Sequence, residues 1–272
     1  MGARYNAFVG TATVLRGARI QPALTPFTWL YLIQPYVITL GAFALLYVYY
    51  RKHLLTTALL LISALAYFLA IAAKVIFQAI FLEPSDLVLA GLYFGLQAVI
   101  FEVGLAYMFA LYATFKHRLR AEQAPAFGAG LAFWENGVLF GLLLIPDLLA
   151  QIITGMSGLP SGSVGQVLQP VAIGLIERIS SILAHFSWGI LTAIAAASGK
   201  RRYLAAALPM GLIDFLVPFA SSYNMWIFEA VILVLSVLSL AVTYLLTKKD
   251  WPMIWDLGLP ATPNPESGHA DK

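Results

Sequence analysis

The sequence predicts an all-α, polytopic membrane bundle of about seven helices, eight if the N-terminal region adds one, and three observations predict it. Long apolar runs recur from about residue 29 to residue 247, each long enough for the roughly 20 residues that a helix needs to cross a hydrocarbon core. Of the 272 residues 61% are hydrophobic and only 11% charged, whereas soluble domains keep roughly a quarter of their residues charged. Finally, Lys and Arg gather in alternate connections between the runs. The runs show no apolar–polar alternation, which excludes a β-barrel, and helices satisfy their own backbone groups in lipid.

The first segment, 29–50, has Trp29 and Tyr31 at one end and Tyr49 and Tyr50 at the other, as an interfacial aromatic belt requires. Arg51 and Lys52 follow it. The second, 55–82, carries Lys74 and Gln78 at i, i+4 spacing and ends in the uncharged-to-acidic "LEPSD". The third, 87–115, holds Glu102 and is followed by Lys116, Arg118 and Arg120. The fourth, 127–155, opens with Gly128, Gly130 and Ala132, a surface without bulk that lets another backbone approach. Glu135 and Asn136 come directly after, and Pro146 is a site where this segment could break into a separate short helix. The fifth, 169–198, places Glu177, Ser181 and His185 at i, i+4, i+8, one slowly drifting polar stripe. Asp214 lies in the sixth, 203–220, between the kink candidates Pro209 and Pro218. The seventh, 224–247, contains Glu229 and leads to Lys248, Lys249, Trp251 and Trp255.

The basic residues lie after segments one, three, five and seven, and the connections "LEPSD", "GMSGLPSGSVGQVLQ" and "SSYN" contain none. The positive-inside rule then puts the N-terminus outside and the C-terminus in the cytoplasm. Arg4, Arg16 and Arg19 dissent from this count, and an interfacial or re-entrant helix within residues 1–28 would accommodate them. No removable signal peptide is expected. Residues 248–272 read as a cytoplasmic tail, largely disordered given the Pro-rich polar "GLPATPNPESGHADK". The net charge of +3 acts through where the positive residues sit; membrane lipid is the expected surround and no nucleic-acid partner is expected. The absence of cysteine excludes disulfides, thiolate metal sites and cysteine nucleophiles.

Charged side chains at a bilayer centre cost about 2.5–3.5 kcal/mol on insertion scales, so they face the bundle interior and either pair or line a cavity. Counted by helical rise, Glu102, Glu135, His185 and Asp214 fall in one layer at or below the midplane, while Lys74, Glu177, Arg178 and Glu229 fall in an outer layer. Structural pairing of these groups and functional use are both open at this point. Burial disfavours a carboxylate anion, which makes such a group able to take a proton from water near neutrality. A water-filled cavity open on the cytoplasmic side would suit a glutamate-centred hydrolase. Catalytic zinc normally has three protein ligands and favours histidine; Glu102, Glu135 and His185 would be the set here, more carboxylate-rich than zinc prefers, and HExxH is absent. A Ser181–His185 nucleophile is disfavoured because both lie on one helix. A retinal-type receptor is excluded by the lack of a lysine within the seventh segment.

"ALAYFLAIAAKVIFQAIF" (64–81), "FEVGLAYMF" (101–109), "GAGLAFWENGVLFG" (128–141) and "ERISSILAHFSWGI" (177–190) together resemble the YhfC-like branch of intramembrane proteases. That branch is distantly related to the CAAX-protease/bacteriocin-processing and PrsW-like families. The last two stretches are the most specific, because residue type, spacing and order agree. The resemblance implies an intramembrane endopeptidase acting on a membrane-embedded or membrane-proximal peptide. Glu135 would be the base, Glu102 an acid or water-orienting partner, and His185 the oxyanion donor, with Asn136, Glu177, Arg178, Asp214 and Gln78 in support. The histidine that the family places beside its glycines is absent; Leu131 and Ala132 stand there. A relative without catalysis, serving as a binding protein or transporter, is the competing expectation.

Overall fold

The computed structural model describes residues 27–117, 119–154, 163–221 and 224–255. Seven helices within these residues are long and apolar enough to cross a membrane: α1 Thr28–Arg51, α2 Thr57–Ile80, α3 Leu87–His117, α4 Ala121–Thr154, α5 Val164–Ser198, α6 Arg201–Ala220 and α7 Met225–Thr247. No strand occurs among the described residues. The all-α class and the seven spans therefore stand. The eighth helix falls on residues 1–26 and most of the 248–272 tail on 256–272, outside the described residues; the first part of that tail, 248–255, is instead a turn and a 3-10 helix, Pro252–Ile254, with Ile254 buried.

Helix starts follow capping chemistry. Thr56 accepts from the Leu59 N–H (3.2 Å), Asp86 from Val88 and Leu89 (3.0 and 2.9 Å), and Asn224 from Trp226 (3.0 Å), each satisfying backbone donors that have no partner within the helix. Helix α5 starts at Val164, earlier than the Gly- and Ser-rich stretch suggests. Ser163 and Gln166 form a capping box there, with the Gln166 side chain accepting from the Ser163 N–H at 2.8 Å. Pro170 is carried inside the helix. Gly199, at φ 69°, closes α5 in the left-handed conformation that glycine adopts without a Cβ penalty.

The faces are sorted as a bilayer demands. In α1, Ile38, Ala42, Leu46 and Tyr49 are buried, while Leu40, Phe43, Tyr47 and Tyr50 point outward. Helix α7 inverts the soluble pattern: its buried side chains are Glu229, Ser236, Ser239, Thr243 and Thr247, and its exposed ones include Ile227, Val231, Val234, Val237 and Leu245. A helix with a polar inside and an aliphatic outside fits lipid as its solvent. The chain is a multi-pass membrane protein.

Helix α5 runs through the middle, packed against α1, α3, α4 and α7. Its contact with α4 is glycine-to-glycine. A Cβ on Gly128 would lie 2.6 Å from the Phe186 carbonyl oxygen, and one on Gly189 would lie 2.5 Å from the Gly128 Cα. The small-residue surface read from the sequence thus serves backbone approach, and every residue from Ala124 to Ala132 is buried.

Three departures from α-geometry lie next to the polar residues. Helix α3 widens to i, i+5 bonding over Ala98–Val103, closing with Gly104 N–H to Val99 O. Helix α4 does the same over Phe133–Leu142, closing with Leu143 N–H to Val138 O at 2.9 Å. The first segment contains Glu102 and the second Glu135 and Asn136. After Leu143 the chain resumes as an α-helix, Leu144–Thr154, so the break expected near Pro146 occurs just before it. Helix α6 tightens to 3-10 geometry over Leu208–Ser221, around Pro209, Asp214 and Pro218. Wide turns of this kind re-aim side chains and recur at functional sites.

Candidate functional site

Lys74 continues the inward stripe Leu59, Ile62, Ala66, Tyr67, Ala70 of α2, so its stem enters the bundle and its ammonium meets acids from two other helices. Lys74 Nζ pairs with Glu102 Oε1 and lies 3.0 Å from Asp214 Oδ2. Arg178 on α5 performs the same service above it. Its Nη2 pairs with Glu177, its Nη1 lies 3.5 Å from Glu135 Oε1, and its guanidinium carbon lies 4.1 Å from the Phe140 ring centre. Long cationic side chains reach well beyond the level of their own Cα, and the two-layer division expected from residue counting fails for this reason. Lys74 and Arg178, assigned to the outer layer, bind inner-layer carboxylates. There is one continuous polar cluster.

His185 sits between the two acids. Its Nε2 is 2.6 Å from Glu135 Oε2 and 3.4 Å from Glu102 Oε2, and neither contact has the in-line geometry of a hydrogen bond. Its Nδ1 lies 3.0 Å from the Ser181 carbonyl oxygen. A carbonyl can only accept, so Nδ1 carries a hydrogen. Nε2 and a carboxylate oxygen at 2.6 Å then need a proton on one of them, since two lone pairs at that distance repel. Trp188 packs against the imidazole with ring centres 4.3 Å apart, and Tyr67 approaches its edge at 6.2 Å.

Asn136 fixes the far side of this unit. Its Nδ2 donates to Ser181 Oγ (3.2 Å) and to the Ala132 carbonyl (3.3 Å), and Ser181 Oγ lies 3.3 Å from His185 Nδ1. Ser181 therefore joins a side-chain relay as well as its own helix. Gln78 goes elsewhere: its Nε2 donates to Gln97 Oε1 at 2.9 Å, and neither amide lines the cavity. The i, i+4 spacing with Lys74 does not carry Gln78 into the site.

These groups line a cavity of about 100 Å³, room for roughly three water molecules at about 30 Å³ each. Glu102, Glu135, Glu177, Arg178, His185 and Asp214 all contribute to its wall. Trp188, Ser236 and Phe228 also belong to this wall, and none of them carries a charge that would mark it in the sequence. Ser236 was legible in principle, since it lies seven residues after Glu229 and continues the same face of α7. The cavity reaches Val217 and Ala220 near the end of α6 and Phe228 at the start of α7. That is the end of the bundle that carries the basic-free "SSYN" connection. Toward the basic end, Ala184–Ala196 of α5 is buried throughout.

No group of three His, Asp or Glu residues among the described residues is arranged to hold a metal ion. Glu102 and Glu135 each commit an oxygen to a cation, Lys74 and Arg178 respectively, which a divalent ion would have to displace. The set Glu102, Glu135, His185 does not fit zinc.

Fold and site together define a polytopic helical membrane protein with a cavity inside the bundle lined by acidic and basic side chains. No family model, curated protein or solved structure matches the chain.

Proposed function

We propose that this protein is a glutamate-type intramembrane endopeptidase, acting on a membrane-embedded or membrane-proximal peptide, with its N-terminus outside and its C-terminus in the cytoplasm. The observation that carries the reading is the convergence of Glu135, Glu102 and His185, from α4, α3 and α5, on one wall of a buried cavity. The similarity of four sequence stretches to the YhfC-like proteases supports the same class, and the basic connections support the orientation.

Glu135 suits the base. Arg178 holds its Oε1, leaving Oε2 toward His185 and the cavity. A water there loses its proton to Oε2 as its oxygen bonds to the scissile carbonyl carbon. The imidazolium Nε2–H donates to the oxyanion that forms, and Nδ1 stays anchored on the Ser181 carbonyl. Collapse breaks the C–N bond, and the proton held by Glu135 passes to the departing amine. Glu102, bound to the Lys74 ammonium, remains an acceptor and serves to orient the water. Asp214 shares Lys74 and so sets the position of Glu102 indirectly.

The test is cleavage of membrane peptides by the purified protein in detergent, compared with Glu135→Gln. Loss of cleavage with an unchanged elution profile is the expected result, and equal cleavage by both proteins removes Glu135 from the mechanism. The pairing of each central acid with a permanent cation favours a second reading, a binding protein or transporter that uses the same interior. Proton-coupled uptake into liposomes that Glu102→Gln abolishes would select it.

A further inference from the structure

We propose that Ser236 of α7 anchors water inside the cavity and, through that water, positions the molecule that Glu135 deprotonates. The anchoring stands on geometry alone; the positioning role rests on the endopeptidase reading. Ser236 is fully buried, lines the cavity, and has no hydrogen-bond partner for its Oγ. Other buried serines of these helices bond the carbonyl four residues back: Ser180 to Ile176 at 2.8 Å, Ser187 to Leu183 at 2.6 Å and Ser239 to Leu235 at 2.9 Å. Ser239 follows Ser236 on the same inner face of α7, so that face supports the bond and Ser236 does not make it.

Two more unmet atoms share this wall. Glu135 Oε2 and His185 Nε2 lie against one another at 2.6 Å, and neither has a hydrogen-bond partner of in-line geometry. Atoms from α4, α5 and α7 thus turn unmet hydrogen-bonding capacity toward a single cavity of about 100 Å³. A buried polar atom left unsatisfied costs free energy. Buried water relieves that cost where the space exceeds about 10–15 Å³ and polar partners surround it, and both conditions hold here. A hydroxyl donates and accepts, so Ser236 can give its hydrogen to one water and take a hydrogen from another. A carboxylate only accepts. Water on Glu135 therefore points one hydrogen at Oε2, and water held by Ser236 gives the second hydrogen an acceptor from the α7 side. The direction of the attacking lone pair is then set before the proton leaves. Ile213, Val217 and Ile232 in the same wall offer no competing bond.

Water-edited solid-state NMR of the full chain in phosphatidylcholine bilayers reads the anchoring without any substrate. In serine-labelled protein, the signal lost in Ser236→Ala identifies Ser236. The signal lost in Ser187→Ala identifies Ser187, which is equally buried but lies outside the cavity wall. Polarisation from water is expected to reach Ser236 several-fold faster than Ser187, and equal build-up overturns the proposal. Unfolding in detergent gives a second measure. Ser236→Ala would relieve a dry, orphaned hydroxyl, so a raised unfolding midpoint also overturns it; an unchanged or lowered midpoint is expected. Kinetics then test the positioning. Ser236→Val and Ser236→Thr fill nearly the same volume and differ in the hydroxyl. The first is expected to cleave with kcat about tenfold lower at unchanged KM, the loss of one hydrogen bond, and the second to stay close to the unmodified protein. Equal kcat in the two variants overturns the positioning role. If the unmodified protein cleaves no membrane peptide, the endopeptidase reading fails and takes the positioning role with it, while the NMR comparison still decides the anchored water.

Discussion

Two ionic clusters in this molecule use the same side-chain chemistry in opposite surroundings. In the membrane interior, Lys74 holds Glu102 and Asp214, with side-chain exposures of 4% for the lysine and 6% for the glutamate. At the basic end, Asp250 collects Lys200 (2.9 Å), Arg202 and the Tyr203 hydroxyl (2.7 Å), and the two cations are 49% and 57% exposed. The exposed cluster ties the start of α6 to the turn after α7, where water and salt can replace either partner. The buried cluster has no such substitute. Desolvation makes the interior pair poor evidence for net stability, yet makes loss of one partner severe, because the other charge remains without water.

The largest expected effect therefore falls on Lys74. Lys74→Ala leaves Glu102 and Asp214 facing each other without the cation they share and is expected to cost about 3–5 kcal/mol, measured by denaturant unfolding in detergent. Lys74→Met combined with Glu102→Gln should recover part of that loss. If the single variant unfolds like the unmodified protein, the pair is not the buried element described above. Gly128→Ala comes next. Its added methyl group would enter the contact with the Phe186 carbonyl, forcing α4 away from α5 at a cost of about 1–3 kcal/mol. Because Glu135 and His185 lie on these two helices, cleavage should fall more than stability, whereas Gly165→Ala, in open space, should change neither.

The same contrast explains what the sequence could disclose. The seven spans, the small-residue face at Gly128 and the inward direction of Glu102, Glu135 and His185 follow from hydropathy, residue size and the cost of charge in lipid, all of which act locally. Pairing of Lys74 with Glu102 and Asp214 depends on the reach of one side chain across three helices, which helical rise cannot deliver. Nor does any local signal mark the i, i+5 turns at Glu102 and Glu135, since Ala98–Val103 and Phe133–Leu142 contain residues common in ordinary helices. The capping box of Ser163 and Gln166 was legible, but the surrounding glycines and serines concealed it.

The smallest effect belongs to Asp250, and its value is in its dependence on conditions. The Tyr203 hydroxyl, then Lys200, with the charges of Lys200 and Arg202 adding to them, hold its carboxyl down to about 2 from an ordinary 3.8. A depressed carboxyl stabilises the folded state above its unfolded value and loses that contribution as pH falls through the folded value. Asp250→Asn should accordingly lower the unfolding midpoint slightly at neutral pH. The difference should shrink as pH drops below about 3.8 and disappear only once the pH is below about 2. Added salt should shrink it as well, since the cations around Asp250 are open to solvent, while the Lys74→Ala deficit should hardly respond to salt. A salt-insensitive Asp250→Asn effect would mean that the basic end is packed as tightly as the interior, and the contrast between the two clusters would disappear.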